Sequence, residues 1–177
     1  MADPKLLGIS GSLRADATNT KLLHEAARLF GSCDFTLVDI NFPLYNGDDE
    51  AKSGVPAAVQ LAANKIAAAD AVVISTPEYN KGPSGSLKNA LDWISRADGT
   101  PWAGKPVAVM SAAAGRAGGE RAQMVLRSYM VPFRPQILQG PEIHLAGSGD
   151  AVDDNGHLKG ELYIKELTTL MGSLRGL

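Results

Sequence analysis

One cysteine in 177 residues excludes an internal disulfide, and the place of Cys33 between a helix pattern and a strand pattern makes it a small packed residue rather than a nucleophile. No apolar run approaches the roughly 20 residues that a membrane-spanning helix needs, and the amino terminus has no basic stretch leading into an apolar one. Charge of one sign is also scarce. The formal net charge is −2, and the lysines and arginines are dispersed, which leaves no electrostatic footprint for nucleic acid or an anionic membrane. His24, His144 and His157 fall on separate predicted elements at no ligand spacing, so no metal site is expected. If Gly156 is aligned with the glycine of a calcium loop, Ala151 and Leu162 stand where carboxylates are required, so Asp150–Gly156 reads as a polar turn. No internal repeat and no low-complexity tract is present. These absences predict a cytoplasmic protein with neither nucleic acid nor membrane as partner.

What is present is an apolar content of 45%, enough in a chain of this length for one domain, residues 1–177, with a substantial core. Leu6, Leu7 and Ile9 form a short apolar strand. Leu22, Leu23, Ala26, Ala27 and Phe30 then repeat at helical spacing, with Thr18 or Asn19 as the expected N-cap. Asp34–Ile40 reads as a second strand, and Asn41–Val55 as a long polar loop closing no element. A helix starting at Pro56 buries Val59, Ala62, Ala63, Ile66 and Ala67 and leads into a fully buried strand, Ala71–Thr76. A helix over Ser84–Arg96, capped by Ser84 or Ser86, a strand over Val107–Ser111 and a helix over Glu120–Met130 continue the alternation. Gln136–Gln139 is a short fifth strand that can run on to Ile143. Leu162, Ile164, Leu167, Leu170, Met171 and Leu174 mark the apolar face of a last helix. Five strands alternating with five helices specify an α/β doubly wound sheet. The flavodoxin-like order 2-1-3-4-5 is expected, helices covering both faces of a five-stranded parallel sheet as a three-layer sandwich.

In such a sheet a ligand lies outside the carboxyl ends of the strands, where the winding reverses between strands 1 and 3. The stretch there, Lys5–Asn19, is an apolar strand entering a small, hydroxyl-rich, cationic turn before a helix. Unpaired amides and the positive end of the helix dipole face that turn, and Ser12 and Arg14 can donate to phosphate oxygens. Gly8 and Gly11 do not make G-x-G-x-x-G, and no G-K-[ST] follows, so neither a dinucleotide fingerprint nor a Walker loop is present. Alone, the turn is equally compatible with solvated Ser and Arg. The Pro77–Pro83 loop adds an aromatic, Tyr79, and backbone N–H and C=O groups at Glu78, Tyr79 and Asn80 suited to the edge of a flat heteroaromatic ring; alone, it reads equally as a rigid turn capping a helix. Together the two loops suit a molecule with a phosphate tail and a planar head, of which FMN is the obvious case.

The residues Gly11-Ser-Leu-Arg14 with Asn19, the segment T-P-E-Y-N at Thr76–Asn80, S-G-x-L-K-N-A-L-D-W at Ser84–Trp93 with Ser95 and Arg96, Gly104–Val107, and Gly118-Gly-x-Arg121 resemble the NADPH-dependent FMN reductase family, a flavodoxin-like group that includes bacterial chromate and quinone reductases and azoreductases. The resemblance implies an oxidoreductase that passes hydride from NADPH or NADH through FMN to small acceptors such as quinones, azo compounds, oxyanions or free flavin, with no catalytic acid or base of its own. A flavodoxin-like electron carrier and a reductase supplying reduced FMN to a monooxygenase are the alternatives. The candidate cofactor-binding residues are Ser10, Ser12, Arg14, Thr18 and Asn19 around the phosphate, Pro77, Glu78, Tyr79 and Asn80 at the ring, and Ser111 and Gly115 on the fourth-strand loop. Where the family often has a second phosphate-binding serine, this chain has Ala17, so Thr18 supplies that hydroxyl or it is lost. Arg116 is a candidate for the extra phosphate of NADPH. The resemblance also implies a homodimer or homotetramer, with Arg121, Tyr129 and Glu142 the nearest matches to residues used between subunits. The stripe Leu87, Leu91 and Ile94 with Trp93 reads as core rather than as a cofactor box, with Trp93 and Trp102 also able to serve a subunit contact.

Overall fold

The computed structural model describes residues 2–177. The elements run in order as β1 (Lys5–Ser10), α1 (Thr18–Phe30), β2 (Asp34–Val38), α2 (Gly47–Ser53), α3 (Ala57–Ala68), β3 (Ala71–Thr76), α4 (Gly85–Ile94), β4 (Pro106–Ala112), α5 (Glu120–Met130), β5 (Gln136–Ile137), β6 (Ile143–Leu145) and α6 (Glu161–Arg175). Every strand pairing is parallel and the order is β2-β1-β3-β4-β5, with β6 also paired to β4. Alternation along the strands divides the core. Leu7, Ile9, Val72, Ile74, Val107 and Val109 face α3, α4 and α5, whereas Leu6, Ala71, Val73, Ala108 and Met110 face α1 and α6. The central strands are therefore apolar on both faces, as a parallel sheet between two helical layers requires.

Five sequence-based expectations are revised. The N-cap of α1 is Ala17, not Thr18 or Asn19, which lie inside the helix. The Asn41–Val55 stretch contains α2, whose seven residues bury nothing, so it has no apolar stripe to read. Its signals are at its ends: the Asn46 side chain accepts from the Asp48 amide, Asp48, Asp49 and Glu50 occupy the first turn, and Gly54 follows at φ 74°. This stretch is braced against α4 by Asn89 Oδ1, which accepts from the Tyr45 amide at 2.9 Å, and by Trp93 Nε1, which donates to Pro43 O at 2.8 Å. Trp93 and Trp102 are 2% and 1% exposed, which makes them core residues rather than surface available to another subunit. The fifth strand position is filled by two short pieces, β5 against the start of β4 and β6 against its end. Finally, Leu162 on α6 is exposed; the buried stripe of that helix is Leu167, Leu170, Met171 and Leu174.

Candidate functional site

β1, β3 and β4 end level with one another, Ser10 beside Ser75 and Thr76 beside Ser111, so the loops that follow them open onto one crevice of about 220 Å³. It is lined by Ser12, Arg14, Ala17, Thr18 and Asn19 from the first loop and the start of α1, Pro77, Glu78 and Tyr79 from the second, Ala112, Ala113 and Ala114 from the third, and Ser148 from the turn after β6. A cavity of about 280 Å³ lies instead at the amino-terminal end of β4, among Ile94, Trp102, Phe133 and Arg134; it contains none of the candidate cofactor-binding residues.

The first loop is held by its neighbours. Gly11 N donates to Ser75 O at 2.7 Å, and Gly11 O accepts from the hydroxyls of Ser84 and Ser86. A Cβ on Gly11 would press on Pro77 Cδ and Thr76 Oγ1, each at 3.1 Å, so glycine is what lets the first and second loops meet. Ser10 lies outside the crevice. Its hydroxyl donates to Ser12 O and accepts from Thr20 Oγ1 at 2.9 Å, which shapes the turn rather than presenting a donor to a ligand.

The opening of α1 has the properties of an anion site. Ala17 offers no side chain to the first-turn amides, so the orphan donors of Thr18 and Asn19 and the helix dipole are left for whatever enters. Asp16, the one acid in the loop, is paired with Lys21 at 2.7 Å, and the hydrogen bond from that ammonium holds its carboxyl below the ordinary value. Arg14 is exposed and has no carboxylate partner among the described residues. Net positive character therefore faces the crevice from both the loop and the helix. Asn19 is buried, its Oδ1 accepting from Ser75 Oγ at 2.7 Å and Ala112 N at 3.1 Å while Nδ2 donates to Ala112 O at 3.1 Å. Its amide fastens α1 to the ends of β3 and β4, and so fixes the crevice it lines.

The second loop is a tight hairpin in which Tyr79 N donates to Gly82 O at 2.9 Å and Gly82 N to Tyr79 O at 3.1 Å. Asn80 and Lys81 between them have φ of 50° and 67°, the left-handed pair that a two-residue turn of this twist requires. The Tyr79 N–H is thus engaged within the turn, and Asn80 shapes the turn beside the crevice. Tyr79 is 54% exposed. The Glu78 carboxylate accepts from Ala122 N at 3.1 Å, capping α5, whose own N-cap is Gly119 at φ 94° with no side chain to offer.

Ser111 and Gly115 are also placed differently from the expectation. Ser111 is fully buried beneath the third loop, donating to Gly118 O at 2.7 Å and accepting from Gln123 Nε2 at 2.9 Å. Gly115 accepts from Gly118 N within that loop, and neither it nor Arg116 lines the crevice. Gln123 also donates to Ile143 O at 2.7 Å, so it joins the loop to β6. Burial pushes the Cys33 thiol up, in keeping with its reading as a packed residue. Two features escaped sequence reasoning: Ser148 in the crevice and Gln123 beneath it. Gly147-Ser-Gly149 signals a turn, but only the pairing of β6 with β4 brings it back to α1.

With this geometry in view, comparison with known proteins gives a consistent result. A family model described as NADPH-dependent FMN reductase matches residues 4–149. The chain is 44% identical over 158 residues to an NAD(P)H-dependent FMN reductase of Pseudomonas aeruginosa, covering 88% of this chain and 85% of that protein. It is 38% identical over 170 residues to a 2-hydroxy-1,4-benzoquinone reductase of a Burkholderia species, covering 94% and 92%. Among solved structures, the flavoenzyme NAD(P)H:(acceptor) oxidoreductase FerB of Paracoccus denitrificans superimposes with a TM-score of 0.86 at 31% identity, over 98% of this chain and 96% of that one.

Proposed function

The chain belongs to the NADPH-dependent FMN reductase family, and from that membership we propose that its crevice holds FMN with the phosphate at the opening of α1 and the ring over the Pro77–Asn80 segment. The protein is a flavodoxin-like oxidoreductase that uses FMN with NAD(P)H as reductant. The observation that carries the site assignment is the uncapped start of α1 beside an unpaired Arg14. A neutral ligand needs neither, whereas a phosphate monoester is matched by backbone amides, a helix dipole and a guanidinium fork. FMN held there would supply the hydride and electron transfer chemistry between NAD(P)H and an acceptor.

The chain's own residues bind, orient and shield. Ser12, Arg14 and the first-turn amides of α1 hold the anionic end. Gly11, Ser84 and Asn19 lock the loops that carry those donors. Pro77 and the exposed Tyr79 ring flank the planar end, while the three alanines of the third loop form an apolar wall. We assign no general acid or base to this chain: the Glu78 carboxylate is engaged by the α5 amide, and the Ser12 hydroxyl accepts from the Arg14 amide. Residues 1–177 act as one FMN-binding domain, with quinones as the favoured class of acceptor, in a cytoplasmic homodimer or homotetramer. Arg121 and Glu142 are exposed and so available to a partner, whereas Tyr129 is half-buried under Lys88 Nζ, 5.4 Å from its ring centre. Among the described residues no helix is long and apolar enough to cross a membrane.

The test is direct. The purified protein should bind FMN and oxidise NADPH or NADH in the presence of a benzoquinone. Binding of FMN without nicotinamide oxidation would mark an electron carrier, and release of reduced FMN as the product would mark a flavin supplier. Sedimentation at micromolar concentration showing only monomer would remove the oligomer from the proposal.

A further inference from the structure

A phosphate monoester dianion only accepts hydrogen bonds, so each hydroxyl that serves it must have an uncommitted proton. At the start of α1 most such protons are spent. The Thr18 hydroxyl donates to Ser148 O at 3.3 Å and one Asn19 Nδ2 proton goes to Ala112 O. Ala17, at the position where a serine or threonine would normally cap the helix, has no hydroxyl. Besides Ser12, whose hydroxyl only accepts, from Arg14 N, the exception is Ser148. Its backbone is pinned at both ends, N donating to Ala113 O at 3.2 Å and O accepting from Thr18, while its hydroxyl has no partner among the described residues and the residue lines the crevice beside Arg14. A second tie holds the same segment to α1: His157 Nδ1 lies 3.0 Å from Glu25 Oε2.

We propose that Ser148 is a phosphate ligand of the crevice, delivering from the turn after β6 the hydroxyl that Ala17 lacks at the α1 N-cap. Thr18 is then a positioning residue, its single proton used to fix the Ser148 backbone, and the α1 cradle is completed by a segment more than a hundred residues away in sequence. Because the Ser148 backbone is held by α1 and the third loop, the residue is already at the crevice before the ligand arrives, which lowers the ordering cost of binding. This inference rests on the proposed FMN site.

The experiment compares dissociation constants for FMN and riboflavin, which differ only by the phosphate, from quenching of flavin fluorescence. In Ser148→Ala, FMN should bind about tenfold more weakly, as expected when a hydrogen bond to a charged group is lost, with riboflavin binding and the thermal midpoint unchanged. Adding Ala17→Ser to Ser148→Ala should recover most of the FMN affinity by returning a hydroxyl to the N-cap. FMN affinity within twofold of wild type in Ser148→Ala would overturn the proposal, as would equal losses for FMN and riboflavin, which would make the turn a packing element. Failure of Ala17→Ser to restore binding would overturn the claim that Ser148 stands in for a cap hydroxyl. Arg14→Ala separates this inference from the site on which it rests. If wild type does not prefer FMN to riboflavin and Arg14→Ala changes nothing, the phosphate site itself fails and Ser148 with it; if the preference is present and Arg14→Ala abolishes it, a silent Ser148→Ala sinks Ser148 alone.

Discussion

Arg14 carries the electrostatics of the crevice because its neighbouring acid is already paired: Lys21 neutralises Asp16 at 2.7 Å. Replacing Arg14 by Ala is expected to weaken FMN binding about 10- to 100-fold, the range for losing a charge-assisted hydrogen bond, while leaving riboflavin binding unchanged; fluorescence titration with the two ligands reads the difference. Arg14→Lys should recover only part, since an ammonium keeps the charge but not the planar fork. Further along α1, burial would raise the Glu25 carboxyl, but hydrogen bonds from Arg28 and His157 outweigh burial and hold it below its ordinary 4.5. A carboxyl depressed by folding adds stability that is complete above the unfolded value and is lost as pH falls through the folded one. Glu25→Gln is therefore expected to have a lower urea midpoint than wild type at pH 7, and the gap should narrow as the buffer is taken below pH 4.5. Ser12 and Arg14 were legible as candidate donors, and both line the crevice, because residue type and a following helix suffice to mark them. Ser10 and Ser111 were not separable from them by type. Whether a serine faces a ligand or a neighbour depends on partners such as Thr20, Gly118 and Gln123, which sequence adjacency does not reveal.

Helices in this fold are capped across the chain as well as locally. α4 begins conventionally, with Ser84 Oγ accepting from Leu87 N at 3.2 Å, and the sequence shows it. α5 begins at a left-handed glycine and is capped by Glu78, 44 residues earlier. Glu78→Ala should cost about 1 kcal/mol, within the 0.5–2 kcal/mol typical of a lost cap, measured as a shift in the urea midpoint at unchanged slope. Gly119 is fixed by the same arrangement. A Cβ there would meet Ser111 Cβ at 2.7 Å, so the helix cannot simply exchange this glycine for a capping serine. Elements with an apolar stripe were legible almost to the residue: β3 is Ala71–Thr76 and α5 is Glu120–Met130, as periodicity predicts. α2 was not, because a helix that buries nothing leaves only its caps to read, and the braces that hold its segment come from Asn89 and Trp93 on another element.

Over the whole molecule, two core layers on either side of one parallel sheet determine which substitutions are felt. Ile74, fully buried at the centre of β3, should cost about 2–5 kcal/mol as alanine. Leu162, apolar but 68% exposed on α6, should change stability by no more than about 0.5 kcal/mol; parallel urea unfolding of the two variants makes the comparison. The order β2-β1-β3-β4-β5 follows from the alternation of strand and helix patterns, since parallel strands need crossovers and right-handed crossovers leave few arrangements. That order in turn places three loops at one crevice. By itself, then, the amino-acid sequence determined the layers, the strand order and the residues able to meet a phosphate, because hydrophobic period and side-chain chemistry are local properties of the chain. Only the tertiary structure decided which of those donors are free. Each hydroxyl has one proton, and whether it goes to a ligand or to a carbonyl is set by neighbours from distant elements, as Thr18 and Ser148 show.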